Sequence, residues 1–151
     1  MSTSRKKPKI IGRVEHVSFP EWNLYDLDAK IDTGAYTSSL HCHHIEKTGD
    51  TTIRFNLLDP THKIYNEKLF ELPIYKEKTV KSSNGITEQR FIVKTRMQLM
   101  KQLYDVELSL TDRSEMTYPV LLGRKLLRGR FLVDVSSKYL SEKKSEEETE
   151  I

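Results

Sequence analysis

A single cysteine, Cys42, stands among the 151 residues, so no disulfide can form within one chain. Apolar residues never run on to the roughly eighteen needed to cross a bilayer. Residues 1–9 are basic but lead into no apolar stretch of the kind a secretion signal requires, and a cytoplasmic protein is the expectation. Glycine is scarce, at six residues. Gly123-Arg124-Lys125 does not form a phosphate-cradling loop, so any dependence on ATP would have to come from a partner, and no cofactor is expected. No internal repeat or second apolar unit is visible, and the length suits one domain.

Charge is present but unevenly spread. The net charge is +3, yet residues 142–151 hold five Glu and two Lys, and their −3 leaves +6 on residues 1–141. A basic body with an acidic tail points to an anionic partner, for which the tail could compete. A solvated surface with a loose end accounts for the same pattern. The expected organisation is a flexible basic arm at 1–9, one domain at 10–140 and a disordered acidic tail at 141–151.

Between these ends the pattern is that of many short strands. Residues 51–58 place Ile53, Phe55 and Leu57 on one face with the period of two of a half-buried strand. Strand-like segments also cover 9–19, interrupted by Pro20-Glu21-Trp22, then 24–32, 37–45, 68–81, 87–99, 102–110, 118–122 and 131–135. Pro73 marks an edge or a break in the fourth of these. Turns are expected at 59–62, at Met100-Lys101, at 111–114 and above all at Ser82-Ser83-Asn84-Gly85, because Asn-Gly accepts the positive φ angles of a tight hairpin. Lys125-Leu126-Leu127 can begin one helical turn. The fold class read from this pattern is all-β, a barrel or sandwich with one short C-terminal helix.

Chemistry concentrates at Asp32-Thr33-Gly34, after one strand and before small polar residues. A backbone N–H can hold an aspartate at such a turn, and glycine removes a side chain where another segment must come close. The tripeptide alone is common, and an ordinary Asx turn explains it equally well. The context is more specific: Ile31 and Ala35 flank the tripeptide, and about ninety residues later Val120-Leu121-Leu122-Gly123-Arg124 is an apolar strand ending in Gly-Arg.

This pairing resembles that of retroviral-type aspartic proteases, in which an Asp-Thr-Gly loop is backed by an apolar strand ending in glycine. Ala29 to Ala35 with Thr37-Ser38-Ser39-Leu40-His41, Pro119 to Arg124, Gly129 to Asp134, and Ser82 to Gly85 with Glu88 and Arg90 closely resemble one bacterial and archaeal retropepsin-like family. Its members often carry the label of ATP-dependent zinc protease and are found beside ATP-grasp glutamate ligases. The resemblance implies a closed acid-protease barrel with Asp32, Thr33 and Gly34 as the catalytic loop. It further implies substrate contacts from Ala35, Tyr36, Asn84, Gly85 and Arg124, with Asn84-Gly85 at the tip of a flap. Relatives usually carry Arg directly after the Ala; here the residue is Tyr36, which bears on substrate preference and leaves Asp32 unaffected.

Aspartic proteases need two carboxylates sharing one proton, and this chain has one Asp-Thr-Gly. The expectation is a homodimer that places two Asp32 residues across a two-fold axis, with Asp134 supporting the C-terminal strand or an Arg pair. Its peptide or protein substrates would be acidic, including glutamate-rich or glutamylated proteins drawn to Arg5, Lys6, Lys7, Lys9, Lys76, Lys78 and Lys81, and a glutamate ligase is a possible partner. Neither a membrane nor a nucleic acid is the expected partner, since no aromatic-basic RNA motif is visible. The alternative is a catalytically silent module of the same fold that binds a peptide or the ligase. A metallopeptidase centred on His41 and His43 ranks third. In a regular strand His41 and His43 share one face while Cys42 and His44 share the other. That leaves at most two ligands per face where a catalytic zinc needs three, and no metal site is expected. Cys42 reads as a small core residue.

Overall fold

The computed structural model describes residues 7–59, 65, 67–81, 83–112 and 117–141. Eleven strands and one short helix are present among them: β1 (Lys9–Gly12), β2 (Val14–Phe19), β3 (Leu24–Ile31), β4 (Ser38–Lys47), β5 (Thr52–Leu57), β6 (Leu69–Pro73), β7 (Lys76–Lys81), β8 (Thr87–Leu99), β9 (Gln102–Thr111), β10 (Val120–Leu122), α1 (Arg124–Leu127) and β11 (Phe131–Asp134). β10 pairs with β3, β3 with β2, β2 with β8, β8 with β9, β9 with β4, and β4 back with β10. That circuit is a closed six-stranded barrel, the all-β retropepsin-like architecture expected, and closure leaves none of the six as a free edge.

Two strands are shared between the barrel and its extensions. The first half of β4, Ser38 to His41, runs parallel to β9, while the second half leaves the barrel to pair with β5, and β5 pairs with β6. The second half of β8 pairs with β9 inside the barrel, and its first half forms a ribbon with β7 that ends at Asn84-Gly85. β6 is an edge strand that stops at Pro73, as a residue with no N–H to donate requires.

Alternation fills the interior. Ile53, Phe55 and Leu57 of β5 are fully buried, as are Leu27 and Ala29 of β3, Leu40 of β4, Leu108 of β9, and Val120 and Leu122 of β10. Each large aliphatic or aromatic side chain so buried contributes roughly 1.5–3 kcal/mol. Trp22, in a 3-10 turn at Pro20–Trp22, stacks at 5.1 Å on Phe19 of β2 and meets Phe70 of β6 at 5.6 Å.

The segment expected as one strand over 9–19 is two. It breaks after Gly12 because the chain near the C-terminus crosses there: a Cβ at Gly12 would strike the Ser137 carbonyl, and Arg13 donates its N–H to that same oxygen at 2.8 Å. β1 pairs instead with β11. The buried Glu15 carboxylate fixes this crossing by accepting from the N–H groups of Gly12 (2.8 Å), Leu140 (2.9 Å) and Ser141 (3.2 Å) and from the Ser141 hydroxyl (2.9 Å). Beyond Ser141 the expected acidic tail lies outside the described residues, as do residues 1–6 of the expected arm and parts of the turns at 59–62 and 111–114. Asp134 turns out to hold a tight turn, accepting from the Ser136 N–H at 3.0 Å and the Ser137 hydroxyl at 2.9 Å, and its bonds to Ser136 and Ser137 hold its carboxyl below the usual range.

The turn at Met100-Lys101 is made with φ of 54° and 67°, positive at both central residues as a two-residue hairpin demands, although neither is Gly or Asn. A second departure lies in β4. Between the pairs His43–Asn56 and Glu46–Arg54, β4 has two residues where β5 has one. His44 occupies this bulge with φ of 56°. Strict alternation over 41–44 therefore fails: His43 and His44 stack on each other with ring centroids 4.1 Å apart, while His41 is buried.

Candidate active site

β3 delivers Asp32 to the end of the barrel, and β10 threads between β3 and β4 to support it. β10 is parallel to β3, with Leu122 beside Ile31, and antiparallel to β4, with Val120 opposite Leu40. The two sequence blocks some ninety residues apart thus meet side by side. The Asp32 N–H donates to the Leu122 carbonyl at 2.9 Å, continuing the β3–β10 ladder one residue into the loop. The Asp32 carboxylate is half-buried, and one oxygen, Oδ1, accepts the Gly34 N–H at 2.9 Å. The loop turns back on itself as Ala35 donates its N–H to the Asp32 carbonyl at 3.2 Å.

α1 closes the loop from outside. The N–H groups of Arg124 and Lys125 donate to the carbonyls of Ala35 (2.8 Å) and Tyr36 (2.9 Å), and the Arg124 guanidinium donates to the Thr33 carbonyl at 3.0 Å. The Gly123 N–H donates to the Ser38 hydroxyl at 3.1 Å. Gly123 has ordinary extended φ and ψ, so space is what it supplies: a Cβ there would lie 2.5 Å from the Thr37 carbonyl oxygen. Arg124 is expected from the resemblance to touch substrate; in the chain it braces Thr33 and lies over the exposed Tyr36 ring at 5.9 Å. Ser38 is a positioning residue that the sequence reading did not single out, although it lies inside the Thr37 to His41 block.

Beside the loop a cavity of about 230 Å³ runs from Tyr36 and Ser38 to the base of the β7–β8 ribbon. Four cations, Lys78, Lys94, Lys125 and Arg130, line it against two carboxylates, Asp105 and Glu107. Lys125 donates to Glu107 at 2.9 Å; that bond holds the Glu107 carboxyl below its usual range and raises the Lys125 ammonium. Lys94 also helps to hold Glu107 ionised, and with four cations against two carboxylates the cavity keeps a positive balance. Lys94 and Arg130 could not be grouped by linear spacing, because only the barrel brings β8 and the segment after α1 together. Asn84 and Gly85 do not line this cavity; they cap the far end of the ribbon, where Gly85 has φ of 84°. One chain thus assembles Asp32, Thr33, Gly34, Ala35, Tyr36 and Arg124 and leaves the expected flap tip apart.

Cys42 is fully enclosed, and burial pushes its thiol up to about 12, which removes the thiolate at neutral pH. The native protein should therefore resist a maleimide over hours and take up one equivalent once unfolded in guanidinium. Modification of the native chain at the unfolded rate would show that β4 opens readily at this point.

A closed six-stranded barrel whose Asp-Thr-Gly loop is backed by an apolar strand ending in glycine defines a retropepsin-like protein. The chain belongs to the RimB-like family, described as retropepsin-like aspartic endopeptidase RimB, whose model matches residues 10–144. It is 34% identical over 148 residues to a probable alpha-L-glutamate ligase of Shewanella pealeana, with 93% of this chain and 31% of the ligase covered. A Desulfotalea psychrophila protein of the same name is 33% identical over 129 residues, covering 83% of this chain and 28% of that one. The chain therefore spans about three-tenths of the length of these curated relatives. Among solved structures, Lpg0085 of Legionella pneumophila, a protein of unknown function, superposes with a TM-score of 0.71 at 28% identity, covering 89% of this chain and 99% of that one. No helix among the described residues is long and apolar enough to cross a membrane.

Proposed function

We propose that the protein is an aspartic-type peptidase, active in the cytoplasm as a homodimer and directed at acidic, glutamate-rich or glutamylated proteins. The observation that carries this reading is the Asp32 loop itself. Half-buried Asp32, its carboxylate held by the Gly34 N–H and its backbone bonded to β10, stands beside a cavity lined by four cations and two carboxylates. In the dimer two Asp32 carboxylates share one proton. The ionised one takes a proton from water as the water oxygen attacks the scissile carbonyl carbon, and the protonated one donates to the carbonyl oxygen. Collapse of the resulting diol breaks the C–N bond as the leaving nitrogen takes up a proton from the pair and a diol hydroxyl returns its proton to the pair, re-forming the carbonyl.

The homodimer reading is supported by a concave region of about 560 Å³ beside the loop, whose lining includes Arg124 and Arg128. Thr33, Tyr36, Leu127, Phe131 and Leu132 also border it, and Leu132 is 58% exposed. Asn84 and Gly85, remote from the cavity of their own chain, would reach substrate only across such an assembly. That relatives named as glutamate ligases contain a similar segment supports glutamate-rich substrates. It also favours the second reading, in which this cleft binds the ligase or its product without cleaving it.

Light scattering together with a cleavage assay tests the proposal. The expected result is a dimer that shortens a protein bearing a poly-glutamate extension and leaves the unextended protein intact. Lys94→Glu should raise KM for the extended substrate several-fold with kcat unchanged, as loss of uniform binding requires. A strict monomer that binds the extension without shortening it would leave the binding module as the function.

A further inference from the structure

The β4 bulge gathers side chains that the aspartic site does not use. His43, His44 and Glu67 each present a ligand atom, and the three atoms lie within 4.8 Å of one another. His43 comes from β4, His44 from the bulge, and Glu67 from the turn before β6, where its φ is 69° and its N–H donates to the Leu57 carbonyl at 3.1 Å. His43 Nε2 is buried and 2.9 Å from Glu67 Oε1, yet this approach lacks the alignment of a hydrogen bond. The pair is an ion pair when His43 is protonated and two facing electron-pair donors when it is neutral.

Asn56 sets the chemistry of the group. Its amide nitrogen donates to the Glu67 carbonyl at 2.9 Å, which fixes the amide so that Oδ1 faces His44 Nδ1 at 3.0 Å. Facing an acceptor, His44 Nδ1 carries a proton, so in the neutral ring the lone pair lies on Nε2. This is the outer-shell arrangement that orients metal-binding histidines. Asn56 also pairs with His43 across the β4–β5 ladder and so holds all three donors from one place.

We propose that His43, His44 and Glu67 bind one divalent ion of zinc's type, with Asn56 as a positioning residue and water in the fourth place. Two imidazoles and one carboxylate suit a tetrahedral zinc. Ligands at ordinary zinc distances stand about 3.4 Å apart, so His43 and Glu67, at 2.9 Å, must part slightly while any wider pair, at most 4.8 Å apart, draws in. The 62% exposed Glu67 side chain and the solvent-facing His44 are free to do this as the two rings open from their stack. The ion clips the bulge of β4 to the β5–β6 extension. It stands five residues along β4 from Ser38, roughly 16 Å by strand rise, so it does not supply the water for Asp32. The inference is independent of the peptidase reading.

Titration of metal-free protein with zinc chloride, in competition with a chromophoric chelator, tests it, with the melting temperature followed by Trp22 fluorescence. One zinc per chain and a rise in melting temperature are expected. His43→Ala, His44→Ala and Glu67→Gln should each lower affinity at least about tenfold, and Asn56→Ala by about ten- to a hundredfold. Glu67→Gln alters an exposed side chain and is expected to fold, which circular dichroism checks. Absence of zinc uptake overturns the proposal, and so does uptake that survives all three ligand substitutions.

Discussion

Asp32→Asn is expected to abolish cleavage and to leave the fold intact. The substitution is nearly isosteric, and an asparagine Oδ1 can still accept the Gly34 N–H that Asp32 accepts at 2.9 Å. The backbone bond from residue 32 to the Leu122 carbonyl does not involve the side chain at all. Melting temperature should therefore match that of the native chain. The carboxylate, in contrast, is the one group in the loop able to take a proton from water, and loss of a general base lowers turnover on the order of 10²–10⁴-fold. A mixing experiment adds the oligomer to the test. If each active site draws one Asp32 from each of two chains, an excess of the Asn variant captures native chains in mixed dimers with a single carboxylate. Activity then falls well below simple dilution. Full activity in the variant would remove Asp32 from the chemistry, and activity that follows simple dilution would show that one chain suffices.

The strands and turns are legible because their signals are local, whereas closure into a barrel is implied only by the resemblance. Alternation in β5, the Asn84-Gly85 turn and the break at Pro73 each follow from a few neighbouring residues, and the structure places them as those residues dictate. The meeting of Asp32 with Leu122-Gly123 was legible only through resemblance, since no rule of spacing brings together residues ninety positions apart. The interior of the site was less visible. Lys94 lies on β8 and Lys125 on α1, and each alone reads as a solvated charge; the cavity that unites them exists only once the barrel closes. The strict alternation expected over 41–44 fails for a definite reason. The period-two rule separates His43 from His44, and a one-residue bulge with His44 at positive φ undoes that rule. Histidine is not a usual signal for such a bulge, so nothing in the local sequence warns of it.

Gly123→Ala is expected to damage both stability and activity, and for a reason that separates it from other glycine substitutions. The added methyl would meet three backbone atoms, the Thr37 carbonyl oxygen at 2.5 Å, the Thr37 carbonyl carbon at 2.8 Å and the Tyr36 carbonyl oxygen at 2.8 Å. None of these is a flexible side-chain end, so the segment 35–38 must move away from β10 and α1. That movement loosens the bonds from Gly123 to Ser38, from Arg124 to Ala35 and from Lys125 to Tyr36, which together hold the Asp32 loop. Overpacking of this kind costs about 1–3 kcal/mol, and each weakened hydrogen bond adds about 0.5–1.5 kcal/mol. A drop in melting temperature of roughly 5–15 °C follows for a chain of this size. Gly129→Ala supplies the contrast. Gly129 has φ of 76° and no atom within 4 Å of its would-be Cβ, so the substitution imposes left-handed strain of about 1–2 kcal/mol without disturbing the loop. At a temperature where both variants are folded, Gly123→Ala should have lost cleavage while Gly129→Ala retains it. Equal activity in the two would mean that the contact between Gly123 and Thr37 does not set the geometry of Asp32.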